Sequence, residues 1–251
     1  MDLQRDGLLC VAAALAGAVN AVAGGGTLLS FPAAMAWGLP STIANATNCV
    51  AMTPASLASA WAYRRELRTG RSILALLALP AIAGGVAGAI LLRYTPARVF
   101  DAIVPWLVLG ATLLIALQGH LARATPAAPS RGRALAAVGC QLLVGVYGGF
   151  FGAAMGIITL AFLSLLMPGD IHARNAVKNL IAALVNGVAA GYFLAAGLVD
   201  RTAVVLMVAG AMIGGLIGGQ LARRVPARAV QWLVVGIGVV LALMLALRRW
   251  R

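Results

Sequence analysis

The strongest chemical signal in this sequence is a segment of the second half in which basic and amide side chains occur together. Arg174 and Lys178 are four residues apart, as are Asn175 and Asn179, so each pair shares one face of a predicted helix. Lys178 falls inside an apolar stretch, where a charged side chain is costly and is a functional candidate by default. The alternative is that both basic side chains reach back to the membrane interface from the first turns of the helix, which demands more reach from Lys178.

The matching segment of the first half, about 130 residues earlier, contains polar but uncharged residues. Asn45 and Asn48 are three residues apart, so they can face the same cavity. Thr53 and Ser56 rank below them, because hydroxyl side chains in membrane helices often bond to their own backbone. The two segments together supply hydrogen-bond donors and positive charge.

Glycine clusters interrupt the apolar pattern at two matching places, at 24–26 and at 148–156. Irregular backbone at membrane depth is tolerated where it lines a cavity or is buried in protein, and a restarted helix offers free N–H groups to an anion. The alternative is that glycines only allow close helix packing, which we favour for Gly88 and Gly218. The substrate-binding residues predicted are Gly24, Gly25, Gly26, Thr27, Asn45, Asn48, Gly152, Gly156, Arg174, Asn175, Lys178 and Asn179.

Acidic residues are few, and all six lie at the ends of apolar segments or in loops. A transporter of divalent cations or a carboxylate proton relay needs such groups inside the spans. The site is therefore predicted to be neutral to positive and to suit an anion. No nucleophile, metal or nucleotide motif occurs, so no catalytic residue, metal or cofactor is predicted. For proton coupling, the candidates are the substrate itself, His172 and a loop carboxylate.

The composition assigns the chain to the polytopic helical membrane proteins. Hydrophobic residues make up 62% of the 251 residues and charged residues 10%, against about 45–50% and about 25% in soluble proteins. The net charge of +13 comes from short basic clusters between apolar segments, a pattern typical of membrane-protein loops. Nucleic acid is therefore excluded as a partner, and the bilayer and a small anion are expected.

An internal repeat of about 130 residues organises these segments. Gly84-Gly85, Gly88 and Arg93 recur as Gly214-Gly215, Gly218 and Arg223. The predicted organisation is a first transmembrane repeat at 1–118, a loop linker at 119–133 and a second repeat at 134–251. Ten apolar stretches, with the first two of each half short, predict 8–10 transmembrane segments that include interrupted or hairpin helices.

The lengths of the stretches favour inverted repeats. A continuous helix over 7–38 would be about 48 Å long, far more than a hydrocarbon core of about 30 Å. The glycines and Pro32 are therefore interpreted as a hairpin or a broken helix, which adds an even number of crossings to three full spans. Each half then has an odd count, and the second half is upside down. The distribution of basic residues fits inverted and parallel repeats equally well.

The paired motifs resemble those of the TauE/SafE family of sulfite-exporter-like permeases over nearly the whole chain. In the first half the motif residues are Gly17, Asn20, Gly24, Gly25, Gly26, Thr27, Pro32, Asn45, Thr47 and Asn48; in the second half they are Gly145, Tyr147, Gly148, Gly149, Gly152, Gly156, Arg174, Asn175, Lys178 and Asn179. The resemblance implies a bacterial inner-membrane permease for sulfite, sulfonates or other sulfur-containing anions. Two departures from the family's pattern are Ala153-Ala154 and Asn20.

The leading hypothesis is a secondary transporter that moves a small sulfur oxyanion by alternating access. Lys178, with Arg174, would supply positive charge, and Asn45, Asn48 and Asn175 would bond the oxygens. A membrane-embedded enzyme and a passive anion channel are the alternatives. The direction of transport, the coupling ion and the oligomeric state have no signature in the sequence.

Overall fold

A computed structural model describes residues 3–22, 25–62, 64–68, 70–121, 131–167, 171–221 and 227–248 of the chain. Within these ranges the protein is all-helical, with ten α-helices, one short 3₁₀ turn at Glu66–Arg68 and no strand. The first half contains α1 (Leu3–Val22), α2 (Thr27–Trp37), α3 (Ser41–Ala62), α4 (Arg71–Tyr94) and α5 (Ala97–Leu121). The second half contains α6 (Arg131–Phe150), α7 (Met155–Leu166), α8 (Ile171–Ala195), α9 (Arg201–Leu221) and α10 (Ala227–Arg248).

The helices match the ten apolar stretches, with differences in helix length, in the two breaks and at the ends of the linker. Only the second helix of each half is short, because α1 and α6 have 20 residues each, enough for about 30 Å. Pro32 lies inside α2 and so does not mark the break. Gly148 and Gly149 lie inside α6, and the second break is confined to 151–154. The helices α5 and α6 also extend into both ends of the linker expected at 119–133.

Helix length and exposed apolar surface identify a multi-pass membrane protein. Four of the described helical segments are long and apolar enough to cross a bilayer: Arg71–Tyr94, Ala97–Leu117, Ala173–Ala195 and Arg201–Gly218. Large apolar side chains project outward from several helices, among them Leu79, Trp106 and Leu143, which are about 70% exposed. Soluble proteins rarely expose large apolar patches, whereas lipid accepts outward apolar side chains.

The two five-helix halves interlock rather than lie side by side. The first helix of each half packs against the fourth helix of the other half, so α1 contacts α9 and α6 contacts α4. Two pairs of corresponding helices also meet directly, α3 with α8 and α5 with α10. The pattern is unchanged when the halves are exchanged, which is the property of a two-fold arrangement.

Repeated glycines account for the closest of these contacts. A Cβ atom at Gly84 would collide with the carbonyl group of Leu142, and one at the corresponding Gly214 would collide with that of Ala14. The same holds one turn later for Gly88 and Gly218. Small residues allow helix backbones to approach in this way within membranes. This is the packing role predicted for Gly88 and Gly218.

The register of the contacts gives the relative directions of the helices. Along α1 and α9, Gly210, Gly214 and Gly218 lie against residues 10, 14 and 18 in turn, so these helices run parallel. In contrast, α3 and α8 run antiparallel: Thr47 accepts a hydrogen bond from the Asp200 N–H just beyond the end of α8, and Cys49 bonds the Asn186 carbonyl. The α5 and α10 helices are antiparallel as well.

Candidate functional site

A small polar cavity of about 30 Å³ lies where the two halves meet, beside both glycine breaks. Five helices and both breaks contribute to its wall, with α3 and α8 opposite one another. Its lining residues are Asn20, Gly25, Thr27, Met52, Ser56, Gly152, Ala154, Met155, Gly156, Lys178, Asn179, Ala182 and Asn186. Six of the twelve predicted substrate-binding residues are among them: Gly25, Thr27, Gly152, Gly156, Lys178 and Asn179.

Helical periodicity explains which residues of α8 and α3 reach this cavity. Lys178, Ala182 and Asn186 are spaced by four residues and form one face of α8. Met52 and Ser56 form the corresponding face of α3, at positions 130 residues before Ala182 and Asn186. Because α3 and α8 pack antiparallel, these two faces meet around the cavity.

Lys178 is the one cationic side chain among the described lining residues. It is only 6% exposed, and no hydrogen bond or ion pair joins its ammonium group to any residue that the structure describes. Its methylene chain passes over Gly156, where a Cβ atom would lie 3.4 Å from the Lys178 Cδ. The side chain is therefore directed into the cavity and kept from solvent. Of the two positions considered for Lys178, membrane interface and protein interior, the structure has the interior.

Further donors around the cavity also lack acceptors. The Asn179 Nδ2 and Ser56 Oγ atoms are buried and have no hydrogen-bond partner in the described part of the chain. The α7 helix starts at the cavity wall, preceded by Ala154 in the left-handed region at φ 60°, and no side chain caps it. The conformation of Ala154 costs about 1–2 kcal/mol for a residue with a Cβ atom. The first two residues of α7, Met155 and Gly156, line the cavity.

The chemistry of the cavity is therefore that of a donor-rich, positively charged site. No acidic side chain is among the lining residues that the structure describes. A buried ammonium group without a counter-charge is unstable relative to one that has an anion beside it. Hydrogen-bond donors and an unopposed positive charge both favour an oxyanion, as does the start of a helix.

Five predicted residues lie elsewhere in the fold. Asn45 donates from Nδ2 to the Phe150 carbonyl at the end of α6, at 2.8 Å, and so ties the two halves together. Arg174 donates to the Ser164 hydroxyl of α7 at 3.0 Å. Asn48 is buried outside the lining, and its Oδ1 lacks a described partner. Asn175 is half-buried outside the lining, and Gly26 is packed against α1. Their role in binding stays a prediction, and Gly24 falls outside the described residues.

The structure adds seven lining residues to the predicted set: Asn20, Met52, Ser56, Ala154, Met155, Ala182 and Asn186. Extending the four-residue spacing from Lys178 would have reached Ala182 and Asn186, and the repeat would then have pointed to Met52 and Ser56. Asn20 carried a signal as a departure from the family's pattern. Ala154 and Met155 had none, because their place depends on the exact end of α6.

A polytopic helical protein whose interlocked halves enclose a polar cavity has the features of a membrane transporter. The comparison with known families agrees. The chain belongs to the sulfite exporter TauE/SafE family, whose model matches residues 9–245. This confirms the resemblance found in the paired motifs.

Relatives of the chain carry transporter names. It is 31% identical over 245 residues to "Probable membrane transporter protein YfcA" of Escherichia coli (strain K12), covering 94% of this chain and 87% of the relative. It is 29% identical over 244 residues to "Probable membrane transporter protein ORF9" of Sinorhizobium sp, covering 94% and 90%. A probable membrane transporter protein of Haemophilus influenzae is 28% identical over 235 residues, covering 88% and 87%. No solved structure matches the chain. The protein is a membrane transporter, not an enzyme.

Proposed function

We propose that the protein is a secondary transporter that moves a small sulfur-containing anion, such as sulfite or an organosulfonate, across the bacterial inner membrane. The observation that carries the proposal is the buried Lys178 ammonium group, which faces a donor-lined cavity and has no acidic side chain beside it among the described lining residues. Sulfite and sulfonate groups present several acceptor oxygens around one sulfur atom, and they match donors that converge from several directions. The family name supports the sulfur chemistry.

In this proposal each group of donors has a distinct task. Lys178 neutralises the charge of the anion. The attraction between the two charges is strong because the site is shielded from water. The Asn179 amide and the Ser56 hydroxyl bond two of the oxygens, which satisfies buried donors that have no partner within the described ranges. At the first turn of α7 the Gly156 N–H is the donor left for the anion, because the Met155 and Ile157 N–H groups already bond the Gly152 and Ala154 carbonyls.

The arrangement of the halves supports alternating access between inverted repeats. Two pairs of corresponding helices, α3 with α8 and α5 with α10, pack antiparallel. A two-fold axis that relates antiparallel helices must be perpendicular to them. When those helices cross the membrane, the axis lies in the membrane plane, which is the geometry of inverted repeats. Rocking of one set of helices against the other would then expose the cavity to each side in turn.

The size of the cavity favours a carrier over a passive channel. About 30 Å³ is room for roughly two water molecules, since each needs about 10–15 Å³ by the same measure. A sulfonate with an organic substituent needs more space, so the cavity must widen when the substrate is loaded. A binding site that opens and closes around its substrate is the defining feature of a carrier.

Flux in reconstituted liposomes tests this function. Purified protein is expected to give saturable uptake of radiolabelled sulfite or taurine above protein-free liposomes. Unlabelled sulfur oxyanions should inhibit this uptake, and choline should not. The uptake rate of a proton-coupled carrier changes with an imposed pH gradient. The rate through a passive channel does not depend on the gradient and does not saturate. Absence of flux for every sulfur oxyanion in the panel would overturn the proposal.

A further inference from the structure

The cavity is unequally built by the two halves, although it lies between them. In the second half, Gly156 and Ala182 are small and leave space next to Lys178. Their counterparts in the first half are larger. Leu28, which is fully buried, is the second residue of α2 as Gly156 is the second residue of α7, and Met52 corresponds to Ala182 in the 130-residue repeat. The free space therefore lies toward α8, and the wall opposite is formed by α3.

Met52 is the large apolar side chain that the described part of the first half contributes to this wall. It is 3% exposed, and it packs behind the cavity in a cluster with Ala16, Ala55 and Ala211. Ser56, one helical turn later, also lines the cavity. Met52 is therefore the boundary between the polar cavity and the close packing of α1, α3 and α9.

Met155 is the other large apolar residue of the lining, but its position is different. Its sulfur atom lies directly over Gly148 of α6, 2.1 Å from where a Cβ atom of that residue would be. It belongs to the cluster that packs α6, α7 and α8 together. The space filled by Met155 is thus confined by α6, whereas Met52 faces α8 across the cavity.

We propose that Met52 sets the upper size limit of the substrate, which makes it a specificity-determining residue. This inference rests on the proposed function: the charged sulfur group lies at Lys178, and its substituent points toward α3 and meets Met52. Methionine is unbranched and flexible, so it yields to a small substituent and resists a long one. Replacement by alanine removes the γ, δ and ε heavy atoms and leaves room for a longer alkyl chain.

Competing fluxes of two sulfonates of different length measure this limit. The ratio of propanesulfonate to methanesulfonate uptake is compared in liposomes that contain the wild type, Met52→Ala or Met52→Val. Because one methylene group in an apolar pocket changes discrimination by about 10-fold or more, Met52→Ala is expected to raise the ratio by about 10-fold. Met52→Val is expected to raise it less. Ala182→Met, which narrows the cavity from the other side, is expected to lower the ratio.

Met207→Ala is the matched control, since Met207 is fully buried in α9 and is not among the residues that line the cavity. It should leave the ratio within about twofold while it removes the same atoms. A wild type without flux for any of these anions overturns the proposed function and this inference with it. Flux in the wild type, with an unchanged ratio in folded Met52 variants, overturns the size limit alone.

Discussion

The two halves of this protein share a frame and differ in the lining of the cavity. Gly84, Gly214 and their neighbours bring helices into contact in the same way on both sides of the two-fold arrangement. At the cavity the correspondence ends, because Lys178 has Asn48 as its counterpart and only Lys178 reaches the lining. The repeated residues thus serve assembly, and the residues that differ between the copies give the cavity its charge and its free space.

The glycine breaks differ between the halves as well. In the first break, Gly25 has a left-handed backbone at φ 91°, and the residue before α2, Gly26, is right-handed. In the second break both Gly152 and Ala154 are left-handed, at φ 76° and φ 60°. The backbone that leads into α7 therefore has a different conformation from the backbone that leads into α2. The first turn of α7 lies beside Lys178.

The largest expected effect concerns the orientation of the halves. Arg71 and Arg201 are exposed first residues of α4 and α9, at corresponding positions 130 residues apart. In inverted repeats they lie on opposite sides of the membrane. Single Arg71→Cys and Arg201→Cys variants, in a background without the three native cysteines, are therefore expected to differ completely in labelling by an impermeant maleimide on intact cells.

Permeabilised cells should label both of these variants, which checks that each thiol is accessible. Leu79→Cys is the control, because Leu79 is an exposed apolar residue more than two turns inside α4, where lipid contact is expected, and a maleimide needs a hydrated thiolate. Equal labelling of both positions in intact cells would show parallel repeats and would contradict the inverted arrangement.

Removal of the charged member of the Asn48 and Lys178 pair should affect transport far more than removal of the neutral one. A hydrogen bond to a charged group contributes about 1.5–3 kcal/mol, so Lys178→Ala is expected to lower the apparent affinity for sulfite by about 10- to 100-fold. Asn48→Ala, whose side chain lies outside the lining, should change it by less than about threefold. Concentration-dependent flux in liposomes measures both values.

Size-exclusion profiles and helical circular dichroism establish that both of these variants are folded. Equal losses in the two variants would contradict the unequal division of the site. Full affinity in Lys178→Ala would remove the basis for placing the anion beside this residue.

The glycine contacts should respond alike in the two halves, with a smaller effect on stability. A Cβ atom at Gly84 or Gly214 meets a backbone carbonyl of the neighbouring helix, and such overpacking costs about 1–3 kcal/mol. Gly84→Ala and Gly214→Ala are each expected to lower the free energy of unfolding by that amount. Denaturant titration in detergent micelles, followed by circular dichroism, measures the change.

Gly236→Ala in α10 is the control, for which the free energy of unfolding is expected not to fall. No atom lies within 4 Å of a Cβ at this exposed position, and alanine is favoured over glycine in a helix by about 1 kcal/mol. This variant should be unchanged or more stable. A large difference between Gly84→Ala and Gly214→Ala would show that the two interfaces are not equivalent.

Much of the helical frame was predictable, since apolar stretches and glycine breaks are local signals. The sequence placed breaks near Gly25 and Gly152, and it singled out Lys178 by its charge within an apolar stretch. It also misplaced features that depend on neighbouring helices. Gly148 and Gly149 were interpreted as part of a break, but they are helical and pack in contact with other helices, Gly149 against Gly85 of α4. Nothing in the sequence indicated that the Asn45 amide bonds the Phe150 carbonyl, and the role of Asn45 in binding stays a prediction.

The sequence by itself determined the membrane class, the ten apolar segments, the internal repeat and the unmatched positive charge of Lys178. These follow from composition and spacing, which report how each segment interacts with lipid. Only the tertiary structure decided which helices meet, because packing between α1 and α9 or between α3 and α8 depends on contacts across more than 100 residues. That packing brings Lys178 together with Met52, Ser56 and the start of α7, and it leaves Arg174 and Asn48 outside.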